Sequence, residues 1–184
     1  MRLFVAVPVP EDIRERLALL CAGLPSAKWV SPENMHLTLR FVGNVDGLQA
    51  SDIDSALSMV RGEGFMLTLA GLGQFSEGQK VRSLWVGAES NPLLMRLRDK
   101  VEHAVVRAGL PPESRKFKPH ITLARFQSNP GAKLGAYLAE YSLFRASPFA
   151  VQRFALFSSF LTRNGAIHSP EAYYSLAPPA SSSF

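Results

Sequence analysis

The sequence predicts an α+β fold of two pseudo-symmetric lobes, each an antiparallel sheet flanked by helices, with the active-site cleft between them. The first observation is a repeat, because MHLTLRF at residues 35–41 returns as PHITLARF at residues 119–126. The second is its context: each copy has a helical pattern before it, and a helical pattern and then strand patterns after it. The third is the length, since 184 residues are enough for one sizeable core or two small lobes.

The first half of the sequence alternates strand and helix patterns. Residues 3–7 alternate apolar side chains in a way that predicts a strand buried on both faces. Pro10 and two acidic residues then begin a helix, with negative charge at the positive end of its dipole. This helix has apolar positions 13, 17, 20 and 24, and the elements predicted after it are a strand at 36–41, a helix with apolar positions 53, 57 and 60, and strands over 65–75 and 81–90.

The second half repeats this order. Asn91 followed by Pro92 is typical of a helix N-terminus, and Gly109 is typical of a helix end. A strand at 120–126, a short helix beginning at Asn129-Pro130, a long strand over 149–161 and a further strand at 172–177 follow. We therefore predict one bilobal domain over residues 1–177. Residues 178–184 have little apolar surface to bury and are predicted to be disordered.

The repeated His-x-Thr motifs, residues 36–39 and 120–123, carry the candidate chemistry. Residues two apart in a strand share a face, so His36 lies beside Thr38 and His120 beside Thr122. Two imidazoles with pKa values of about 6.5 can hold opposite protonation states near neutrality. In-line attack at phosphorus needs such a base and acid, and hydroxyls can hydrogen-bond the non-bridging oxygens. The motifs predict a phosphodiesterase site in which the two pairs face each other.

An arginine would complete the site by bidentate contact with the phosphate. Arg125, five residues after His120, is the first candidate. Strict alternation places it on the face opposite His120, so it needs a bulge or a strand end to reach the cleft. Arg40 has the parity of His36 and is the second candidate.

Composition limits the partners and the compartment. The formal net charge of +5 favours an anionic partner such as nucleic acid. The single Cys21 excludes an internal disulfide, which favours a reducing compartment, and no apolar run approaches the roughly 18 residues of a membrane helix. One histidine per strand, without acidic or cysteine neighbours at ligand spacing, does not suit a metal. We expect a cytoplasmic monomer without metal, cofactor or membrane attachment.

These residues resemble the two-histidine (2H) phosphoesterase superfamily, and within it the bacterial and archaeal RNA 2′,3′-cyclic phosphodiesterases, first described as 2′-5′ RNA ligases. RLFVAVPVPEDIRERL resembles the opening strand and helix of that family, KWVSPENMHLTLRFVGNV its first motif region and RKFKPHITLARF its second. LFSSFLTRNGA is similar to the late strand and turn, with Ser159 at the usual serine. The chain departs from the family after this turn, where tyrosine is common and this sequence has His168.

The resemblance implies a metal-independent hydrolase that opens a 2′,3′-cyclic phosphate at an RNA end and leaves a 2′-phosphate. It assigns His36 as proton donor to the leaving 3′ oxygen and His120 as the base that activates water. Thr38, Thr122 and Arg125 would hold the phosphate. Relatives also join tRNA halves through a 2′-5′ bond without ATP, so the expected partner is RNA with a cyclic phosphate end, tRNA fragments included.

Two other functions stay open at this point. The same residues would serve on a small cyclic phosphodiester, such as a nucleotide or an ADP-ribose cyclic phosphate, and rates on a mononucleotide and an oligonucleotide would separate these cases. A non-catalytic RNA-binding module would instead show salt-sensitive RNA binding that survives the loss of both motif histidines.

Overall fold

The computed structural model describes residues 1–180, which form ten strands and four helices. The strands are β1 Arg2–Pro8, β2 Ala27–Trp29, β3 His36–Asn44, β4 Phe65–Leu67, β5 Leu69–Glu77, β6 Lys80–Ala88, β7 His120–Phe126, β8 Phe149–Val151, β9 Arg153–Thr162 and β10 Gly165–Ser175. The helices are α1 Glu11–Ala18, α2 Gly47–Ser58, α3 Pro92–Arg107 and α4 Ala132–Glu140, and a 3₁₀ turn spans Pro32–Asn34.

Two four-stranded antiparallel sheets make up the two lobes. The first has the order β10-β9-β1-β3 and the second the order β2-β7-β6-β5, so each contains one motif strand. The first sheet takes strands from both ends of the chain, whereas the second combines β5, β6 and β7 from its middle with the short early strand β2. The predicted fold class of two antiparallel lobes flanked by helices is confirmed.

The aliphatic faces of both motif strands enter one continuous core. Leu37 and Leu39 in β3, and Ile121 and Leu123 in β7, are fully or almost fully buried. This core includes residues of both sheets together with the apolar stripes of all four helices. Because aliphatic burial is the main stabilising term in folding, the core holds the aliphatic face of each strand. The opposite face, with the histidine and threonine, is half-exposed.

Several helix boundaries differ from the prediction. The first helix ends at Ala18, and Leu20 and Leu24 are buried in the turn that follows, where Gly23 has a φ of +86°. Side chains of a turn can be buried as well as those of a helix, so apolar spacing alone does not locate the end. The fourth helix begins after Gly131 rather than at Asn129, whose side-chain amide donates a hydrogen bond to a neighbouring loop.

The predicted strands over 65–75 and 149–161 are each divided in two. Their first segments, β4 and β8, leave the main sheets and pair with each other as a separate two-stranded sheet. The short strand β2 was not predicted, and β10 is longer than predicted. The predicted disordered tail, 178–184, lies partly outside the described residues, and its described part, 178–180, is exposed. The domain limit at residue 177 stays a prediction.

Candidate active site

The histidine of each motif is held by the same backbone contact. His36 Nδ1 lies 3.1 Å from the carbonyl oxygen of Asn34, and His120 Nδ1 lies 2.6 Å from that of Lys118, two residues earlier in both cases. A carbonyl oxygen only accepts hydrogen bonds, so Nδ1 carries the proton in both rings and donates it. The lone pair of each neutral ring is therefore on Nε2, which can take up a proton or, once protonated, release one.

A β-bulge at the motif leucine of β7 turns Arg125 toward His120. Thr122 and Ala124 pair with consecutive residues of β6, so Leu123 is an extra residue in the strand. One extra residue reverses the alternation of side chains beyond it. Arg125 accordingly lies on the face of His120 and Thr122, exposed, whereas Ala124 is buried. The bulge that Arg125 required is present.

The first motif has a bulge at the equivalent leucine, with the opposite consequence for its arginine. Thr38 and Arg40 pair with consecutive residues of β1, so Leu39 is the extra residue. Beyond it, Phe41 takes the cleft face beside His36, where half of its surface is exposed, and Arg40 turns toward the core. The fifth residue after the motif histidine is thus an aromatic in one lobe and an arginine in the other.

The prediction that Arg40 faces the cleft is wrong. Its side chain is 8% exposed and is bound on three sides. Nε donates to the carboxylate of Glu102 in α3 at 2.5 Å, and the two terminal nitrogens donate to the backbone carbonyls of Phe41 and Pro111. Arg40 therefore links β3 to α3 and to the loop after that helix. Its guanidinium nitrogens are bound to these partners and are not directed at the cleft.

Burial lowers the pKa of both motif histidines in the free protein. The pKa of His36 falls to about 4, first because burial desolvates its charged form and then because His168 lies beside it. The pKa of His120 is also lowered, mainly by burial and further by the cationic Arg125 and Lys118. Both rings are therefore neutral near pH 7 until an anion enters the site and stabilises the imidazolium form.

Electrostatic contacts link the two lobes at this point. Arg125 of β7 lies close enough to lower the pKa of His168 in β10 as well as that of His120. His168 in turn lies next to His36, with ring centroids 5.7 Å apart. The Cα atoms of β3 and β7 approach within 8 Å. Neighbouring side chains thus connect His36 to His168, His168 to Arg125 and Arg125 to His120 across the two sheets.

Aromatic rings form the walls around the two histidines. In the first lobe the ring centroids of Phe157 and His36 are 4.4 Å apart. In the second lobe the ring centroids of Phe75 and His120 are 4.8 Å apart, and the two rings meet edge-on. Trp85 adds a further contact to His120 at 5.8 Å. These apolar neighbours exclude water from the rings and explain why burial dominates both pKa shifts.

The indole of Trp85 occupies the space above Gly73, the residue of β5 that pairs with it and has no side chain. A Cβ atom at Gly73 would lie 2.3 Å from the indole ring, which no packing allows. The Lys118 ammonium lies 4.7 Å from the centroid of the same indole, at a cation–π distance. The second lobe therefore presents positive charge as well as an imidazole at the cleft.

Metal-ligand clusters and membrane helices are absent from the described part of the chain. Over residues 1–180, no group of three or more histidine, cysteine, aspartate or glutamate side chains is placed to hold a metal ion. Within the same range no helix is long and apolar enough to cross a membrane. That the chemistry runs without a metal stays a prediction.

The family model of the LigT like phosphoesterases matches this chain twice, at residues 7–85 and 86–168. Each match contains one His-x-Thr motif with its bulged strand. The chain belongs to the LigT-like phosphoesterase family.

LigT-like proteins with curated names resemble this chain over most of its length. An RNA 2′,3′-cyclic phosphodiesterase of Thermotoga maritima is 36% identical over 91% of this chain and 91% of its own. One of Aeropyrum pernix is 37% identical over 84% and 89%, respectively. The similarity therefore extends across both lobes rather than being confined to the motifs.

LigT-like solved structures share the fold. Escherichia coli LigT superposes with a TM-score of 0.79 at 27% identity, covering 95% of this chain and 97% of LigT. A Thermus thermophilus protein superposes with a TM-score of 0.80 at 26% identity, covering 97% and 99%. Both lobes and the arrangement between them are thus those of this LigT-like fold.

Sequence reasoning placed His36, Thr38, His120 and Thr122 on the correct strand faces but gave His168 no role. A signal for its position exists in the sequence. Arg163 and Asn164 form the two-residue loop of the β9–β10 hairpin, which places His168 directly opposite Ser159. Short loops of this kind determine hairpin register, so pairing of these two positions follows from the turn. The hairpin does not predict that β9 and β3 pair with opposite sides of β1, which only the structure shows.

Proposed function

We propose that this LigT-like phosphoesterase hydrolyses RNA 2′,3′-cyclic phosphate ends to 2′-phosphomonoesters without a metal ion. The observation that carries the proposal is the matched pair of histidines, each of which donates its Nδ1–H to a backbone carbonyl and keeps Nε2 for proton transfer. The names of the Thermotoga and Aeropyrum relatives support RNA as the substrate. Escherichia coli LigT has been solved in complexes with 3′-AMP and with phosphate, which supports a site for phosphate esters.

The reaction is an in-line displacement at phosphorus with one proton transfer on each side. His120 Nε2 takes a proton from water as the water oxygen bonds to phosphorus. The bond from phosphorus to the 3′ oxygen breaks, and protonated His36 gives its Nε2 proton to that oxygen. Each transfer contributes about 10²–10⁴-fold to the rate. The product keeps the phosphate on the 2′ oxygen, and the two histidines end with their protonation states exchanged.

The other residues of the cleft stabilise the charge on the non-bridging oxygens. Thr38 and Thr122 can each donate a hydroxyl hydrogen bond, and Arg125 supplies a cation with planar donors that match a phosphate. The exposed guanidinium of Arg125 is available for this contact, unlike that of Arg40. Binding of the anionic ester raises the pKa of the neighbouring histidines, which provides the imidazolium form that His36 needs.

The same geometry allows a transesterification, in which a 5′-hydroxyl attacks the cyclic phosphate in place of water and the 3′ oxygen leaves as before. This would give a 2′-5′ bond and makes tRNA halves candidate substrates for ligation. Water is in large excess over any RNA hydroxyl, so we propose hydrolysis as the main activity. A cytoplasmic monomer is the form in which we expect the enzyme to act.

Phosphorus-31 NMR of an oligoribonucleotide ending in a 2′,3′-cyclic phosphate, incubated with the protein in EDTA, tests the proposal. We expect a 2′-phosphomonoester signal, because the chain's own acid and base suffice. A 3′-phosphomonoester would mean that the bond to the 2′ oxygen breaks and would overturn the assigned leaving group. An unchanged cyclic signal in EDTA that converts after metal addition would overturn metal independence.

The two alternatives give different results with the same substrates. If kcat/KM on a cyclic mononucleotide exceeds that on the oligonucleotide, the substrate is a small cyclic ester. If RNA binds with salt-sensitive affinity but no cyclic phosphate is consumed, the protein is a binding module. Exposed Phe41 beside the motif histidine offers an aromatic face on which a base of either substrate could stack.

The pH dependence of the rate follows from the two lowered pKa values. Turnover needs one charged and one neutral imidazole, and in the free protein both pKa values lie below the ordinary 6.5. We therefore expect kcat/KM to fall by about tenfold per unit as the pH rises above 6.5, once both rings have lost their protons. The falling limb of kcat should lie at higher pH, because the bound anion favours the imidazolium. A kcat/KM that stays level up to pH 8 would contradict these pKa directions.

A further inference from the structure

His168 is a third imidazole in the cleft that the proposed reaction does not use. It lies in β10 directly opposite Ser159 of β9, on the face that carries Phe157 and Phe4. Its ring meets that of Phe4 edge-on at 4.9 Å and lies 5.7 Å from that of His36. His168 thus lies next to His36, the proposed proton donor.

The hydrogen bonding of His168 differs from that of the two motif histidines. Its Nδ1 is buried and has no hydrogen-bond partner within residues 1–180, whereas His36 and His120 each donate from Nδ1 to a carbonyl. Buried N–H groups without an acceptor are rarer in proteins than buried acceptors without a donor, so we place the proton of neutral His168 away from Nδ1. The neutral ring therefore carries its proton on Nε2. The accessible part of this half-buried ring is the edge away from Nδ1, which bears that N–H.

We propose that His168 is a substrate-positioning residue that donates its Nε2–H, as a neutral ring, to a non-bridging oxygen of the phosphate. The inference rests on the proposed function, because it places the phosphate between the two lobes. His168 differs in role from His36 and His120: it holds the ester in line and exchanges no proton with it.

The charges around His168 favour a neutral ring that lies near the cation proposed to bind the phosphate. Arg125 reaches toward it from the second lobe, Arg2 lies on its own sheet, and His36 is its neighbour in the first lobe. Burial and the two arginines lower the pKa of His168, so the ring stays neutral near pH 7. Because Arg125 lies close enough to lower the pKa of both His168 and His120, a phosphate bound by Arg125 would lie near both rings.

A hydrogen bond of Asn34 fixes the position of His168 relative to His36. The backbone carbonyl of Asn34 accepts from His36 Nδ1, and its side-chain amide donates to the carbonyl of Ala166 at 2.7 Å. Ala166 precedes His168 by two residues in β10. One residue thus anchors both rings at a defined separation, which a positioning contact requires.

The tautomer of His168 can be measured without any substrate. Long-range ¹H–¹⁵N correlation spectra of the full chain at pH 7 distinguish Nδ1–H from Nε2–H, and the His168→Gln spectrum identifies the resonances of His168 by their loss. We expect Nε2–H for His168 and Nδ1–H for His36 and His120. An Nδ1–H tautomer or an imidazolium at His168 would overturn the inference, whether or not the protein hydrolyses RNA ends.

Two variants separate positioning from acid–base catalysis. His168→Ala removes the donor, and we expect KM for the cyclic-phosphate oligonucleotide to rise roughly tenfold or more with kcat within about threefold. His168→Gln places an amide N–H near the former Nε2 and should keep KM within about threefold of the parent protein. If both variants lose kcat equally, the ring transfers protons, and if neither changes KM, it does not contact the substrate.

Binding of a nucleoside 2′-phosphate, measured by calorimetry, distinguishes failure of this inference from failure of the proposed function. We expect weaker binding to His168→Ala than to His168→Gln even where no turnover is observed. If the parent protein hydrolyses RNA ends and binds the product, but both variants bind it equally, the role of His168 is disproved and the function stands.

Discussion

Replacing His36 or His120 by alanine should lower kcat on a cyclic-phosphate RNA end by about 10²–10⁴-fold, the contribution of one general acid or base. Each ring is half-buried and makes a single hydrogen bond to the backbone, so removing it leaves the aliphatic core of its strand in place. Urea unfolding and circular dichroism check that the fold persists. The matched control is His103→Ala, which removes an exposed histidine of α3 and should leave kcat unchanged.

A substrate with sulfur in place of the 3′ oxygen distinguishes the two roles. A thiolate leaves without a proton, so this substrate should restore most of the rate lost in His36→Ala and little of that lost in His120→Ala. Rescue of His120→Ala alone would exchange the two assignments. Full activity of the double variant would remove both histidines from the mechanism and overturn the proposed acid–base chemistry.

Replacing Arg40 by alanine should lower the free energy of unfolding by about 3–5 kcal/mol, the usual cost of breaking a buried ion pair. The Glu102 carboxylate, 14% exposed, would lose its cationic partner, and two backbone carbonyls would lose their donors. A surface pair gives the matched control: Arg82→Ala breaks a contact between side chains that are 49% and 76% exposed and should cost less than about 1 kcal/mol. Urea titrations of both variants at pH 7 measure the difference.

The activity of folded Arg40→Ala protein decides whether that arginine also serves the chemistry. We expect kcat/KM at low temperature to stay within about threefold of the parent value, because the guanidinium points into the interface between β3 and α3. Lost activity with unchanged stability would contradict this and would return Arg40 to the phosphate site.

The alternation of side chains along a strand was sufficient to predict which face of each motif strand carries the candidate site residues. Alternation in the two motif strands placed the histidine and threonine of each on one face and the aliphatic residues on the other, as the burial shows. Local signals of this kind are strong, because side chains in an extended strand can only point to two sides. The N-cap Asn91 was predicted for the same reason, since capping depends on residues adjacent in sequence.

The sequence by itself therefore determined which residues are the candidates for the chemistry and how each pair is oriented in its own strand. Only the tertiary structure decided which arginine joins them. Bulges at Leu39 and Leu123 arise from pairing with neighbouring strands, and one extra residue turned Arg125 into the cleft and Arg40 out of it. His168 lies beside His36, 132 positions earlier in the chain, although their strands are the two edges of the first sheet, because both rings pack against Phe4 on one face of that sheet. Such long-range pairing depends on the packing of the whole core, which no short stretch of sequence encodes.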